Sequence, residues 1–377
     1  VGAFGGRQIR TPNLDRLAAE GVRLTSHLVA APVCSPSRAG LLTGRYPQRT
    51  GVVGVLRDHH DHFGLNLDER TIADELAAAG YDTALIGKWH LGIPEAYRPL
   101  QRGFALYFGF LSGTIDYYTH LSRGGGQKDQ AVLYRGEDPV ESHGYFPDRL
   151  GDEVVRYLEA PREKPFFLFY SLGLPHLPLQ APPGSDAETG EAIYRAMVER
   201  IDHHVGRALR ALEERDLAED TLVVFLSDHG WDSRRKKVPG SNTPFRGGKY
   251  ELTEGGLRTP AIVRWPTGIP AGRTMDEPSI ALDWLPTFRA AAGIEGPPGN
   301  PLDGVSLLGS LTRGEPLTER TLFWGFRDDL AGTPQSYAAR RGRWKYLRVG
   351  GAEALYDVEA DPPESRDLSA NEPELFR

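Results

Sequence analysis

Two runs of apolar and aromatic residues, Phe166–Tyr170 and Leu222–Leu226, constrain this chain more than any other feature. Each is nearly continuous in apolar character, too short for a helix and without the alternation of a half-solvated strand, so each is expected as a strand covered on both faces. Between them, Ile193, Met197, Ile201, Val205, Ala208 and Leu212 recur at helical spacing along Glu191–Glu214, which predicts a helix laid over one face of the sheet. Earlier in the chain, Thr11-Pro12 ahead of Leu14, Leu17 and Ala18, closed by Gly21, reads as a short capped helix. A second helix is expected over about Leu67 to Ala79, ending at Gly80, with a strand at Thr83–Ile86. Helix and strand in repetition predict an α/β fold.

Leu222–Leu226 runs directly into Ser227-Asp228-His229-Gly230. Polar residues at the C-terminal end of such a strand lie where open α/β sheets keep their ligands. Past about Leu311 the character changes. Thr321–Phe326, Ser336–Arg340, Trp344–Val349 and Ala354–Asp357 are short aromatic-rich runs between Gly and charged turns, which predicts a small antiparallel sheet. The expected division is therefore residues 1–311 as the α/β domain and 312–377 as a small C-terminal α+β subdomain. Gly124–Gly126 and Arg234–Ser241 read as surface loops.

Composition narrows the partners. With 44 Lys and Arg against 51 Asp and Glu, the net charge is −7, the opposite of the basic stripe that a nucleic-acid backbone demands. No apolar run approaches the roughly 20 residues that cross a bilayer. The single cysteine, Cys34, has no intramolecular disulfide partner, so the redox compartment stays open. Nothing in the pattern fixes an oligomeric state.

Cys34-Ser35-Pro36-Ser37-Arg38, followed by Leu42-Thr43-Gly44-Arg45, carries the sharpest chemical signal. Ser35-Pro36 is a good helix start, which places Cys34 at a helix N-terminus where backbone N–H groups favour negative charge. Arg38 then sits one helical turn away. A lone cysteine is more often a small buried hydrophobe, but this segment resembles the signature of the type I sulfatases, Cys-x-Pro-Ser-Arg with a downstream Leu-Thr-Gly-Arg. In that family the cysteine is oxidised to formylglycine. An aldehyde hydrate then supplies two hydroxyls on one carbon, one to attack sulfur and one to expel the sulfate.

The resemblance continues in order along the chain. Gly87-Lys88-Trp89-His90-Leu91-Gly92, Pro175-His176-Leu177-Pro178, Asp228-His229 and the Gly247 to Pro260 block, which begins Gly247-Gly248-Lys249, all look like blocks of that family. It implies an alkaline-phosphatase-like fold with a large mixed, mostly parallel sheet flanked by helices. It further implies that Lys88 and Lys249 bind sulfate, that His90 hydrogen-bonds the formylglycine hydroxyls and that Arg38 steadies the nucleophile and the metal ligands. Lys88 and His90, two apart, would point to the same side of an extended backbone. His176 is the implied general acid, its ordinary pKa near 6.5 suiting proton delivery around neutrality.

Asp228 and His229 stand where the family usually has Asp-Asn and are expected to bind metal. Ca²⁺ is the family's ion, while the imidazole leaves Mg²⁺, Mn²⁺ or Zn²⁺ open. The family's first strand ends in an Asp-Asp pair lying ahead of Val1, so with Asp228 and His229 alone the metal site is expected to be half built. The implied partners are a sulfated small molecule or glycan and a formylglycine-generating enzyme, and the implied location is the periplasm or outside the cell. The loops Phe110–His120 and Arg234–Lys237 are candidates for recognising a sulfated sugar. Three other readings stay open: a phosphonate monoester or phosphodiester hydrolase of the same superfamily, an inactive binding homologue, and an unmodified cysteine hydrolase built on a Cys34–His pair.

Overall fold

The computed structural model describes residues 1–57, 63–122, 132–233 and 240–376. The predicted loops at Gly124–Gly126 and Arg234–Lys237 lie outside the described residues. In chain order the strands are β1 (Val22–Leu24), β2 (His27–Leu28), β3 (Asp82–Lys88), β4 (Leu106–Phe110), β5 (Leu133–Arg135), β6 (Asp138–Pro139), β7 (Phe166–Ser171) and β8 (Val223–Leu226). They continue with β9 (Ala261–Arg264), β10 (Arg273–Met275), β11 (Ser279–Ile280), β12 (Thr321–Asp328), β13 (Thr333–Arg341), β14 (Trp344–Val349) and β15 (Ala352–Asp357).

The fold is mixed α/β, with its main sheet in two pieces. One piece has the order β6-β5-β4-β3-β7, with β3 parallel to both β4 and β7. The other has the order β10-β1-β9-β8, with β8 antiparallel to β9. β7 and β8 are the facing edges of the two pieces, and both line a cavity of about 940 Å³.

Helices bridge the pieces. Of those named here, α1 is Pro12–Ala19, α2 Cys34–Thr43, α3 Pro47–Thr50, α4 Ile72–Ala78, α5 Phe146–Glu159, α6 Gly190–Glu214, α7 Glu254–Leu257 and α8 Trp284–Ala291. Met197 and Leu212 of α6 pack with Phe166, Leu168 and Tyr170 of β7. Val205 and Leu209 of the same helix pack with Phe225 of β8. On the opposite face, Trp284 and Phe288 of α8 pack with Phe167, Phe169, Val224 and Leu226. Both apolar runs are thus sandwiched, as their composition predicts. They remain half-buried rather than buried, because their edges open onto the cavity.

α6 spans the expected length. The predicted helix over Leu67–Ala79 begins later, at Ile72, because Thr71 and Asp74 form a reciprocal capping box that sets the start five residues downstream of Leu67. The C-terminal sheet, β12-β13-β14-β15, is antiparallel throughout. Its inner face, with Leu322, Trp324, Phe326 and Leu347, shares a core with Val29 and Val33, and the Trp324 indole donates to Val29 O at 2.8 Å. The sheet therefore packs beneath the segment that leads into Cys34.

Candidate active site

α2 begins at Cys34 after an extended Val33 (φ −148°, ψ 160°), and every residue from Cys34 to Thr43 is buried. A cation and an imidazole meet the thiol: His229 Nε2 lies 3.2 Å from Cys34 Sγ, and Lys249 Nζ 3.8 Å. Burial pushes the thiol pKa up, yet Lys249, Lys88 and His229 outweigh it and hold the thiol well below its ordinary value. This position is therefore built to carry negative charge.

β3 delivers Lys88, which is buried. Burial lowers its pKa, against the opposing pull of Cys34 and Asp228. Burial lowers the Lys249 pKa, but Cys34, Tyr250 and Asp228 with Asp232 together outweigh it and raise it. Two ammonium groups thus flank one reactive position. His90 belongs to the same cluster, though by a different route from the expected alternation. β3 stops at Lys88, and His90 adopts φ 60°, held by its N–H to Leu111 O at 3.0 Å. Its Nε2 contacts Leu56 O at 2.7 Å, and its ring is buried in hydrogen-bonding reach of Cys34.

Arg38 is fixed by two carbonyls and a hydroxyl, with the charges of Asp228 and Cys34 acting on it. Its Nε donates to Trp89 O at 2.7 Å, and Nη2 donates to Lys88 O and, at 2.6 Å, to Ser171 Oγ. The guanidinium thus ties the start of α2 to the ends of β3 and β7. His176 presents Nδ1 to Leu177 O at 2.9 Å, which leaves Nε2 without the proton. Burial first, then Lys249 and Lys88, take its pKa down to about 3. That places it below the ordinary value expected from the sequence.

Asp228 and His229 follow β8 directly. His229 Nδ1 faces Gly230 O at 2.8 Å, which directs Nε2 to within 3.6 Å of Asp228 Oδ1. The thiol, carboxylate and imidazole donors all lie within 4.8 Å of one another. Burial opposes protonation of His229, but Asp228 and Cys34 together raise its pKa. A bound cation would replace that proton, so the oxygen and nitrogen donors fit a divalent ion, as two members of a larger ligand set.

Sequence reasoning missed several supports. Ser171 ends the apolar run of β7 and anchors Arg38. The Leu56 carbonyl holds His90, and Leu56 N is in turn held by Ser35 Oγ at 3.0 Å. Tyr117, from the loop expected to read sugar, is buried instead, its hydroxyl 2.9 Å from both Gly173 O and His176 O. Only the position of Ser171 at the end of an apolar strand carried a sequence signal, because the other contacts join segments far apart in the chain.

Fold and site together define an α/β protein in which the buried Cys34 thiol is ringed by cations beside a carboxylate–imidazole pair. A family model described as Sulfatase matches residues 1–294, and one described as N-sulphoglucosamine sulphohydrolase, C-terminal, matches residues 248–375. Steryl-sulfatase of Mus musculus is 35% identical over 84% of this chain and 63% of its own length. Arylsulfatase A of Homo sapiens is 33% identical over 100% of this chain and 78% of its own. The solved structure of Ps i-CgsB, in complex with k-i-k-neocarrahexaose, superposes with a TM-score of 0.91 at 30% identity, covering all of this chain and 86% of that one. The chain belongs to the sulfatase family. It spans slightly less than two thirds of the length of the steryl-sulfatase it matches.

Proposed function

We propose that this protein hydrolyses sulfate monoesters, aryl or carbohydrate, through a formylglycine made from Cys34 by a formylglycine-generating enzyme and with a divalent cation. The observation that carries this reading is the thiol of Cys34, held far below its ordinary pKa in a buried pocket by Lys249, Lys88 and His229. Cys34 Sγ stands in for the hydrate oxygens, and the site around it stabilises negative charge. Lys88 and Lys249 hold the sulfate oxygens by charge-assisted hydrogen bonds. His90, within hydrogen-bonding reach of Cys34, bonds a hydrate hydroxyl through Nδ1. Arg38 fixes the relative place of α2 and β3.

His176 protonates the leaving oxygen. Burial, Lys249 and Lys88 lower its pKa, and the negative charge of a bound ester would offset the two lysines, moving the imidazole towards protonation. The cation, held by Asp228 and His229 among its ligands, would lower the charge of the ester and acidify a hydrate hydroxyl. Ca²⁺ is favoured by the family, with Mg²⁺, Mn²⁺ or Zn²⁺ compatible with an imidazole donor.

A sulfated glycan is the favoured substrate class, supported by the carrahexaose bound to the 30%-identical Ps i-CgsB. A phosphonate monoester hydrolase of Agrobacterium radiobacter shares the fold at 22% identity and a TM-score of 0.71, which speaks to fold alone. We take residues 1–311 as the catalytic α/β domain and 312–377 as the C-terminal subdomain, with the periplasm or cell exterior as the location. Among the described residues no helix is long and apolar enough to cross a membrane.

The test pairs two measurements on protein from its native source. Mass spectrometry of the Cys34 peptide should show the aldehyde, and rates on 4-nitrophenyl sulfate should exceed those on bis(4-nitrophenyl) phosphate. A native peptide carrying only the thiol, or activity that survives Cys34→Ala, would overturn the reading.

A further inference from the structure

Four charged side chains lie fully buried behind the site, and no step above uses them. Lys345 Nζ of β14 sits 3.0 Å from Glu254 Oε1 and 2.9 Å from Glu364 Oε1. Arg340 Nη1 of β13 sits 3.1 Å from Glu254 Oε2. Side-chain exposure is 1% or less for all four. Arg340 also donates to Ser26 Oγ at 2.9 Å, and Glu364 accepts from the Glu254 N–H at 2.8 Å.

Arg258 Nη1 lies 3.7 Å from Glu254 Oε2 and Arg246 Nε 4.0 Å from Glu364 Oε2 at the more exposed rim of the cluster, and burying the central four carries a desolvation cost that well-packed apolar side chains of similar volume would avoid. Holding the fold together is therefore a weak reason for such a group, and what it fastens is a better guide. Glu254 opens α7, five residues after Lys249. The Lys249 N–H donates to Trp231 O at 3.0 Å, Tyr250 N–H to Pro32 O at 2.9 Å, and Gly255 N–H to Arg246 O at 2.8 Å. One short, cross-linked block thus has the sulfate-facing ammonium at its front and the charged quartet at its back.

We propose that Glu254, Glu364, Arg340 and Lys345 are positioning residues through which the C-terminal sheet fixes the place of Lys249 in the anion pocket. This rests on the sulfatase reading for the role of Lys249, but its test does not require turnover. The ammonium must meet an anion within a few tenths of an ångström, and a rigid, directional set of ion pairs holds a loop to that tolerance where apolar packing allows sliding.

The experiment measures the Kd of inorganic sulfate by calorimetry in the full-length protein, for wild type, Lys249→Ala, and the charge-balanced double variant Lys345→Met with Glu364→Gln. Arg341→Met, an exposed change on β13, serves as control. The double variant, shown folded by circular dichroism, is expected to bind sulfate at least 10-fold more weakly, as Lys249→Ala does, while the control is unchanged. A folded double variant with wild-type affinity overturns the proposal and leaves the quartet as structural packing. Should it fail to fold, Glu364→Asp decides, since it keeps both charges and shortens one reach. A several-fold weaker Kd supports positioning, and an unchanged Kd sinks it. Wild-type protein that binds sulfate but never cleaves 4-nitrophenyl sulfate would sink the hydrolase reading and leave this test standing.

Discussion

At Cys34 the decisive physics is competition between burial, which disfavours an anion, and two ammonium groups with an imidazole, which favour it. The cations win. Removing one oxyanion-stabilising donor commonly costs about 10²–10³ in rate, so Lys249→Ala should lower kcat/KM on 4-nitrophenyl sulfate by that order with little change in melting temperature. An unaltered kcat/KM would remove Lys249 from the site. Gly113 makes a subtler claim. A Cβ there would lie 2.8 Å from both Cε1 and Nε2 of His90, whose ring is held against Leu56 O. Gly113→Ala should therefore reduce turnover more than stability, read as a kcat loss of about 10-fold or more from a misplaced His90. Normal kcat would mean that the ring has room to move.

Among elements, β3 and β7 meet most tightly at Gly87, which has φ 122° and whose added Cβ would stand 2.0 Å from Ser171 O. Backbone cannot yield as a flexible side chain does. Gly87→Ala should cost about 3 kcal/mol or more in urea unfolding and displace Lys88 with it. A near-neutral substitution would show that the edge of β7 adjusts. In β2, His27 is buried and burial takes its pKa down to about 3. The unfolded chain, with an ordinary pKa near 6.5, protonates first, so this stability is complete above about pH 6.5 and is lost as pH falls towards 3. Between pH 7 and 5 the loss is about 2 kcal/mol. His27→Asn should shrink the pH 7 to 5 difference in unfolding free energy by that amount, and equal differences in both proteins would refute it.

For the molecule as a whole, the two-piece sheet converges on one place: β3 brings Lys88, the end of β7 brings Ser171, and the loop after it carries His176. β8 brings Asp228 and His229, and the C-terminal sheet braces the Lys249 block. A ligand that binds only the folded state raises its stability by mass action. Chelation by EDTA should accordingly lower both the melting temperature and the activity of the full-length protein, with Ca²⁺ restoring both. Activity indifferent to chelation would remove Asp228 and His229 from a metal role.

The sequence by itself determined the α/β class and the α6 cover, because local periodicity carries that information without long-range contacts, while for Cys34, Lys88, His90, His176, Asp228, His229 and Lys249 it supplied roles only through the resemblance of short motifs to a family. It misplaced the start of α4 by reading apolar residues instead of the Thr71 and Asp74 cap, and it gave His90 an extended backbone where φ is 60°. Only the tertiary structure decided that β7 and β8 face each other across a cavity, that Arg38 binds two carbonyls and the Ser171 hydroxyl, that burial beside Lys249 and Lys88 lowers the His176 pKa, and that charges on β13 and β14 back the Lys249 block. Each depends on groups distant in the chain, whose burial and mutual fields exist only once the chain has folded.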